Sequence, residues 1–412
     1  MKLAIVIPAL NEEGSIESII QRSLDSREFI CRNSPVDQVD IVVVSDGSTD
    51  RTVEIASQYS DRVRLIIFPK NRGYGAAIKE GWLQSDAELL GFLDADGTCE
   101  PRLFARLCSQ LEKSQADLVL GCRLNPDSRM PPIRRFGNKI FAALLTLFSQ
   151  SHVRDTASGM RVVRRSSLDY LFPLPDGLHF TPAMSARASL SSALRIEEVD
   201  MPYEERVGES KLKVVKDGIR FLRVILEAAF LYRPARPVGL LGILFFAAAS
   251  VLMIRPIAYY AGHHAVLEWM IYRFLVSYLL GTCAVVCVCA SYISRRLVHL
   301  ALMTEMRDEA ATLLSRFFSS RWFWAVPFLL CLIGGLLVLG SFLQLLKTGA
   351  TYEHWSRYIV MTFCASTSVI LVATRGIGYV MGLVEERVRY WLKVRSVDVC
   401  QNPYSISAPN MK

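Results

Sequence analysis

A chain of 412 residues that is 51% hydrophobic, with a mean hydropathy of +0.28, is too apolar for a purely soluble protein and long enough for a catalytic domain plus a second module. The formal net charge of +8 calls for an anionic partner, and because many basic residues sit beside the apolar stretches, that partner is expected to be a membrane lipid rather than nucleic acid. The ten cysteines show no paired zinc spacing and read as reduced, packed thiols.

The start, Met1-Lys2-Leu3-Ala4-Ile5-Val6-Ile7-Pro8, has an apolar run too short for a signal sequence and meets Asn11-Glu12-Glu13 at once, so it reads as a first β-strand at the N-terminus. Strand-like runs at 3–8, 40–44, 63–68, 89–93 and 118–120 alternate with helical patterns at 52–59, 76–84 and from Ser15 onward. Short buried strands alternating with helices predict an α/β domain with a mostly parallel sheet, whose ligands bind beyond the carboxyl ends of the strands. Polar residues follow those ends in Asn11-Glu12, Ser45-Asp46-Gly47-Ser48 and Asp94-Ala95-Asp96.

Two basic amphipathic helices are predicted, at 133–148 and 213–231. Each has an apolar stripe beside Arg and Lys, which fits helices lying in a membrane interface. Four apolar stretches of about the length needed to cross hydrocarbon follow, at 238–254, 274–293, 322–346 and 358–384. The expected division is therefore a catalytic domain at 1–212, a juxtamembrane helix and linker at 213–237, a transmembrane domain at 238–384 and a tail at 385–412. The connection holding Arg295, Arg296, Arg307, Arg316 and Arg321, and the tail with Arg387, Arg389, Lys393 and Arg395, are richer in positive charge than the connections holding Arg255, Arg273, Lys347 and Arg357. The positive-inside rule then puts the catalytic domain and both termini in the cytoplasm. Self-association through the spans stays open. Arg375, inside the last apolar stretch, is either functional or snorkels to the cytoplasmic interface, with snorkelling favoured.

Asp94 and Asp96 end an apolar strand, and such a carboxylate pair can hold Mg²⁺ or Mn²⁺ against a substrate diphosphate. Alone, the pair would equally serve a turn. Four motifs in order decide its context: Val6-Ile7-Pro8-Ala9-Leu10-Asn11-Glu12-Glu13, Val44-Ser45-Asp46-Gly47-Ser48-Thr49-Asp50, Asn71-Arg72-Gly73-Tyr74-Gly75 and Asp94-Ala95-Asp96 resemble family-2 glycosyltransferases. Gly121-Cys122-Arg123, Arg134-Arg135-Phe136-Gly137-Asn138, Arg154-Asp155-Thr156-Ala157-Ser158-Gly159-Met160-Arg161 and Arg206-Val207-Gly208-Glu209-Ser210-Lys211 resemble the dolichyl-phosphate mannose synthase and undecaprenyl-phosphate glucosyltransferase branch. The resemblance covers about residues 1–232.

That resemblance implies a GT-A nucleotide-sugar fold and inverting transfer of one hexose from a nucleotide sugar of the GDP-mannose or UDP-glucose class to polyprenyl phosphate. By motif position, Pro8, Ala9, Asn11 and Glu12 would line the base and ribose pocket, with Asp46 reading the base. Gly73 either lets the backbone approach the diphosphate or serves a tight turn. Asp94, Ala95 and Asp96 would meet the metal and diphosphate, while Arg206 and Lys211 close over the phosphates. Arg123, Arg134 and Asn138 would receive the lipid phosphate. Asp155 either orients the acceptor, acts as a base or caps a turn. Leu10 and Thr98 depart from the usual aromatic residue and Gln. The alternatives are a processive polysaccharide synthase, whose Gln-x-x-Arg-Trp signature is missing because Phe318 precedes Arg321-Trp322, and a non-catalytic lipid-phosphate binding or flipping protein.

Overall fold

The computed structural model describes residues 1–412 apart from 127, 150, 205–213, 303–308, 351–353 and 402–412. The chain divides into two compact units, Met1–Tyr232 and Arg233–Lys412. The first begins β1 (Lys2–Ala9), α1 (Ile16–Asn33), β2 (Gln38–Ser45), α2 (Thr52–Ser57), β3 (Arg64–Ile67), α3 (Tyr74–Leu83) and β4 (Leu89–Leu93). It continues through α4 (Phe104–Lys113), β5 (Leu118–Cys122), α5 (Pro132–Phe148), β6 (Met160–Arg164), α6 (Leu168–Leu171), α7 (Phe180–Leu190), β7 (Ile196–Asp200) and α8 (Val214–Tyr232).

Among the described residues, seven strands form one sheet in the order β3-β2-β1-β4-β6-β5-β7. The central strands are unbroken apolar runs because helices cover both faces: Leu3, Ile5 and Ile7 pack against Ile16, Ile19 and Ile20 of α1, while Ala4, Val6 and Phe92 face α3 and α7. β1 to β4 pair in parallel, so the loops after β1, β2 and β4 emerge together. β6 runs antiparallel between β4 and β5, with Leu93 opposite Met160. This reversal brings the loop before β6, with Asp155 and Gly159, to the carboxyl end of β4 beside Asp94.

β6 and β7 fall outside the strands expected from sequence. β6, Met-Arg-Val-Val-Arg, carries a fully buried Arg161, and β7, Ile-Glu-Glu-Val-Asp, is only half buried at the sheet edge. Neither offers an apolar run or clean alternation. α8, grouped with the linker in the sequence, belongs to the first unit, where its Ile225, Ala228 and Ala229 share a core with Leu145 and Phe148 of α5.

The second unit contains α9 (Ala235–His263), α10 (Ile271–Leu302), α11 (Glu309–Ser319), α12 (Ala325–Thr348) and α13 (Trp355–Gln401). Among the described residues, four segments are long and apolar enough to cross a membrane: Ala235–His263, Glu268–Ala301, Arg321–Thr348 and Trp355–Trp391. Arg255, assigned by sequence to a connection, lies with Pro256 inside α9, and α13 continues well into the stretch expected to be a tail. Arg307 lies outside the described residues. The described cysteines are free thiols.

One aromatic cluster sets the floor of the first unit. Trp82 is 2% exposed, with its ring 6.1 Å from Phe92 and 5.8 Å from Phe180, and its Nε1–H donates to the Gly91 carbonyl at 3.2 Å. Trp82→Ala would leave both a cavity and an unmet acceptor, so it should cost roughly 3–5 kcal/mol. A thermal melt of the full protein in detergent, followed by near-ultraviolet circular dichroism, should show a clearly lowered midpoint for the first unit.

Candidate active site

A cleft of about 390 Å³ opens at the carboxyl ends of β1, β2 and β4. From the sequence-predicted set it gathers Pro8, Ala9, Glu12, Asp46, Gly73, Asp94, Ala95, Asp96, Arg123 and Arg134. Asn11, Asp155 and Asn138 do not line it, and Arg206 and Lys211 lie outside the described residues.

The loops that form the cleft hold one another by side chain to backbone bonds. The Asn11 Oδ1 accepts from the Thr49 amide at 2.8 Å, and the Glu12 amide donates to Thr52 Oγ1 at 2.8 Å. Both contacts tie the turn after β1 to the turn after β2. The Asp46 carboxylate accepts the backbone N–H groups of Arg72 at 2.6 Å and Gly73 at 2.9 Å. Burial pushes its carboxyl up against the pull of those two amides. Gly73 has φ 110° and faces the Asp176 carbonyl, a backbone position that only glycine fills without strain. Asp46 therefore shapes the rim at Gly73 while itself facing the cleft.

Asp94 and Asp96 follow β4 and present hard oxygen donors in the same cleft. Asp94 Oδ1 accepts a 2.6 Å bond from the Tyr74 hydroxyl, and burial together with Asp94 pushes the Tyr74 phenol well above its usual range, so it stays a donor. Asp96 Oδ1 accepts from Thr98 Oγ1 at 2.7 Å, which gives the non-consensus Thr98 a role in orienting the carboxylate. Gly159 packs directly against the Asp94 carboxyl, where any side chain would overlap it. Among the described residues no cluster of three or more His, Cys, Asp or Glu could hold a metal ion. A divalent cation here would find the carboxylates of Asp94 and Asp96 among the described residues, hard oxygen donors that suit Mg²⁺ or Mn²⁺.

The same cleft is lined by Arg123, Arg134 and, from α8, Arg220. Arg123 is built into a buried node. Asp155, 0% exposed, accepts the Arg123 Nε at 2.7 Å, its Nη2 at 2.9 Å and its backbone N–H at 3.0 Å. It also accepts Asn138 Nδ2 at 2.7 Å. Asn138 in turn accepts from the Thr156 amide at 3.1 Å and hydroxyl at 2.9 Å. Both residues are consumed in positioning, so the carboxylate has no lone pair directed at the cleft for base chemistry, and Asn138 is committed to the Asp155 loop. Burial works against ionisation of Asp155, but the Arg123 charge and the bonds from Arg123 and Asn138 outweigh it and hold the carboxyl below its usual range. β7 reinforces the loop: Glu198 accepts the Arg154 and Asp155 amides at 2.9 Å each, and Asp200 accepts Arg154 Nη2 at 2.6 Å.

Tyr74, Arg220, Tyr203 and Gly159 are cleft residues that the sequence reading assigned no role. Tyr74 and Gly159 lie inside motifs whose charged residues carry the more evident chemistry. Arg220 belongs to the basic face of the helix that the sequence places in a membrane interface. Behind the cleft, Arg161 donates to the Ser158 and Thr156 carbonyls at 3.0 and 2.9 Å and to Ser185 Oγ at 2.9 Å. Burial pulls its guanidinium down to about 10, so it still carries a charge at neutral pH.

Glycosyl transferase family 2 matches residues 4–172 of the chain. The dolichyl-phosphate hexose transferase of Haloferax volcanii is 34% identical over 234 residues, covering 55% of this chain and 92% of that protein. The low-salt glycan biosynthesis hexosyltransferase Agl6 of the same organism is 31% identical over 55% of this chain, and the dolichyl-phosphate beta-glucosyltransferase ALG5C of Trichomonas vaginalis is 30% identical over 51%. The match spans 54% of Agl6 and 65% of ALG5C. Glucosyl-3-phosphoglycerate synthase of Mycobacterium tuberculosis, solved with Mn²⁺, uridine diphosphate and phosphoglyceric acid, aligns over 55% of this chain and 78% of that one, at 21% identity and a TM-score of 0.44.

The Asp155 node yields a stability test. Asp155→Asn would leave the Arg123 charge buried without its counter-ion, a loss of about 3–5 kcal/mol. Because the folded carboxyl titrates below the unfolded one, the pair contributes fully above the ordinary carboxylate range, near 3.9, and loses its contribution as pH falls from there through the folded value. Thermal midpoints of wild type and Asp155→Asn should therefore differ widely at pH 7 and converge as acid is added.

Proposed function

The chain belongs to glycosyl transferase family 2, and from that premise we propose that it transfers one hexose from a nucleotide sugar to the phosphate of a polyprenyl lipid, with inversion at the anomeric carbon. The observation that carries this reading is the meeting of both charges in one cleft: the acid pair Asp94 and Asp96 shares its lining with the cations Arg123, Arg134 and Arg220. An acid pair suits a metal-bound diphosphate, and arginine forks suit an acceptor that is itself a phosphate. Glucose, carried by a uridine donor, is the first sugar to test, since one relative is named a dolichyl-phosphate beta-glucosyltransferase and a β product from an α-linked donor requires inversion.

In this proposal Pro8, Ala9, Glu12 and Asp46 bind the base and ribose, with Asn11 keeping their two turns together. A divalent cation bound by Asp94 and Asp96 supplies Lewis-acid neutralisation of the departing diphosphate. Tyr74 fixes the Asp94 rotamer, and Thr98 does the same for Asp96. The acceptor needs no strong base: a phosphate monoester with a second pKa of about 6 is already largely dianionic at neutral pH. Arg123 and Arg134 orient its oxygens for attack, and Asp155 with Asn138 keeps the Arg123 fork in register. Arg206 and Lys211 remain the proposed phosphate-covering pair.

The lipid requirement is supported by the exposed apolar faces of two neighbouring helices. α5 exposes Ile133, Phe136, Ile140 and Leu147, and α8 exposes Val215, Ile219 and Leu222, while Phe141 and Phe221 meet edge to face at 5.8 Å between them. Such faces suit the headgroup boundary, which would keep the polyprenyl tail in the bilayer while its phosphate reaches the cleft. The charge bias of the connections supports a cytoplasmic cleft.

Two experiments test the reading. Asp94→Asn and Asp96→Asn should each lower transfer on the order of 10²–10³-fold, and a chelator should do the same to the wild type. Mass analysis should show a single lipid-linked hexose; a polymer or no product would refute the proposal. Separately, Arg134→Ala should lose about 2 kcal/mol of acceptor binding, a ~30-fold rise in KM for a short-chain polyprenyl phosphate, with nucleotide-sugar affinity unchanged.

A further inference from the structure

The charge on Arg375, in α13, is not used by the cleft. Its Nη1 is shielded from solvent and has no hydrogen-bond partner. The guanidinium carbon stands 5.1 Å from the ring centre of Phe323 and 5.8 Å from that of Trp324. Glu385, on the same helix, is already engaged by Arg296 at 3.1 Å and Arg389 at 2.8 Å. Aromatic faces stabilise a cation in part, but they accept none of its in-plane N–H bonds. In an apolar span that leaves a costly unmet donor.

The height of Arg375 along the helix says what could meet it. It follows Trp355, the first residue of α13, by roughly 30 Å of helix at 1.5 Å per residue, about one hydrocarbon thickness. α12 runs beside it in the opposite sense, with Ser368 Oγ bonded to the Pro327 carbonyl at 3.1 Å. The segment just before α12, with Arg321, Trp322 and Trp324, therefore stands at the same end of the bundle as Arg375. Trp at that level marks the membrane boundary, where lipid phosphates are the abundant anions. A guanidinium with unspent donors over two rings offers a phosphate a charged fork above an apolar wall for the chain below it.

We propose that Arg375, stacked on Phe323 and Trp324, forms a binding site for the phosphate of an anionic membrane lipid, built wholly from the second unit. It is tested on the full-length protein, delipidated in neutral detergent, by native mass spectrometry and thermal melts with phosphatidylglycerol, phosphatidylcholine or inorganic phosphate. Phosphatidylglycerol should stay bound through the mass measurement and raise the midpoint, and phosphatidylcholine should do so far less. Arg375→Gln should weaken the phosphatidylglycerol effect at least tenfold, and Phe323→Leu should weaken it in part. Arg389→Gln, at an exposed ion pair further along the helix, should leave it intact. An equal, Arg375-dependent shift with inorganic phosphate would support the site but make the free anion its ligand. The proposal is overturned if wild type retains no phosphatidylglycerol, if Arg375→Gln retains it as well as wild type, or if Arg389→Gln loses it equally, which would mean bulk charge alone.

Discussion

The Asp155 carboxylate lies where three segments that are distant in sequence must agree: the end of β5 with Arg123, the first turns of α5 with Asn138, and the loop that feeds β6. A buried ion pair gives little net stability compared with an apolar substitute, but it tolerates only one arrangement of its partners. Here five donors converge on two oxygens, and the register they impose fixes where Arg123 points and how close Gly159 comes to Asp94. Asp94 and the Arg123 fork are thereby adjusted to each other through one group that does not line the cleft.

β6 extends that coupling into the sheet. Because it pairs antiparallel with β4, the residue pair Leu93 and Met160 sits opposite at the very end of the ladder, one residue from Asp94 on one strand and one from Gly159 on the other. Arg161, next along, spends its guanidinium on the carbonyls of residues 156 and 158 and on α7. A charged group buried without a carboxylate partner is expensive, and what it obtains is a rigid backbone under the Asp155 loop. The second helix of the same floor, α3, supplies Tyr74 from its first residue, so the aromatic cluster below and the carboxylate above share one support.

Much of the first unit was legible because its central strands obey a simple rule: apolar run, then polar turn. The limits 89–93 for β4 and the motif residues at the ends of β1, β2 and β4 followed from that alone. β6 and β7 did not, since a buried arginine and a row of acidic residues imitate a surface segment. Roles were harder to read than places. Asp155 and Asn138 belong to the motif of the cleft, yet pattern cannot say whether a carboxylate faces substrate or a neighbouring arginine; that depends on a side-chain direction set by the β6 reversal. Arg220 shows the converse: it sits on a helix whose basic and apolar faces fit a membrane interface, yet it lines the cleft beside Phe221.

The length of α13 has a mechanical consequence of its own. Its 47 residues make a rod of roughly 70 Å, against a bilayer of about 40–45 Å including headgroups. Unless strongly tilted, one end must stand some 25 Å clear of the lipid as a continuous mast, carrying Glu385, Glu386, Arg387 and Arg389 at its base. A helix without a joint transmits tilt as a lever does, so a change of bilayer thickness around its lower half would swing its free end through a larger arc, and the membrane itself becomes a source of motion for whatever that end touches.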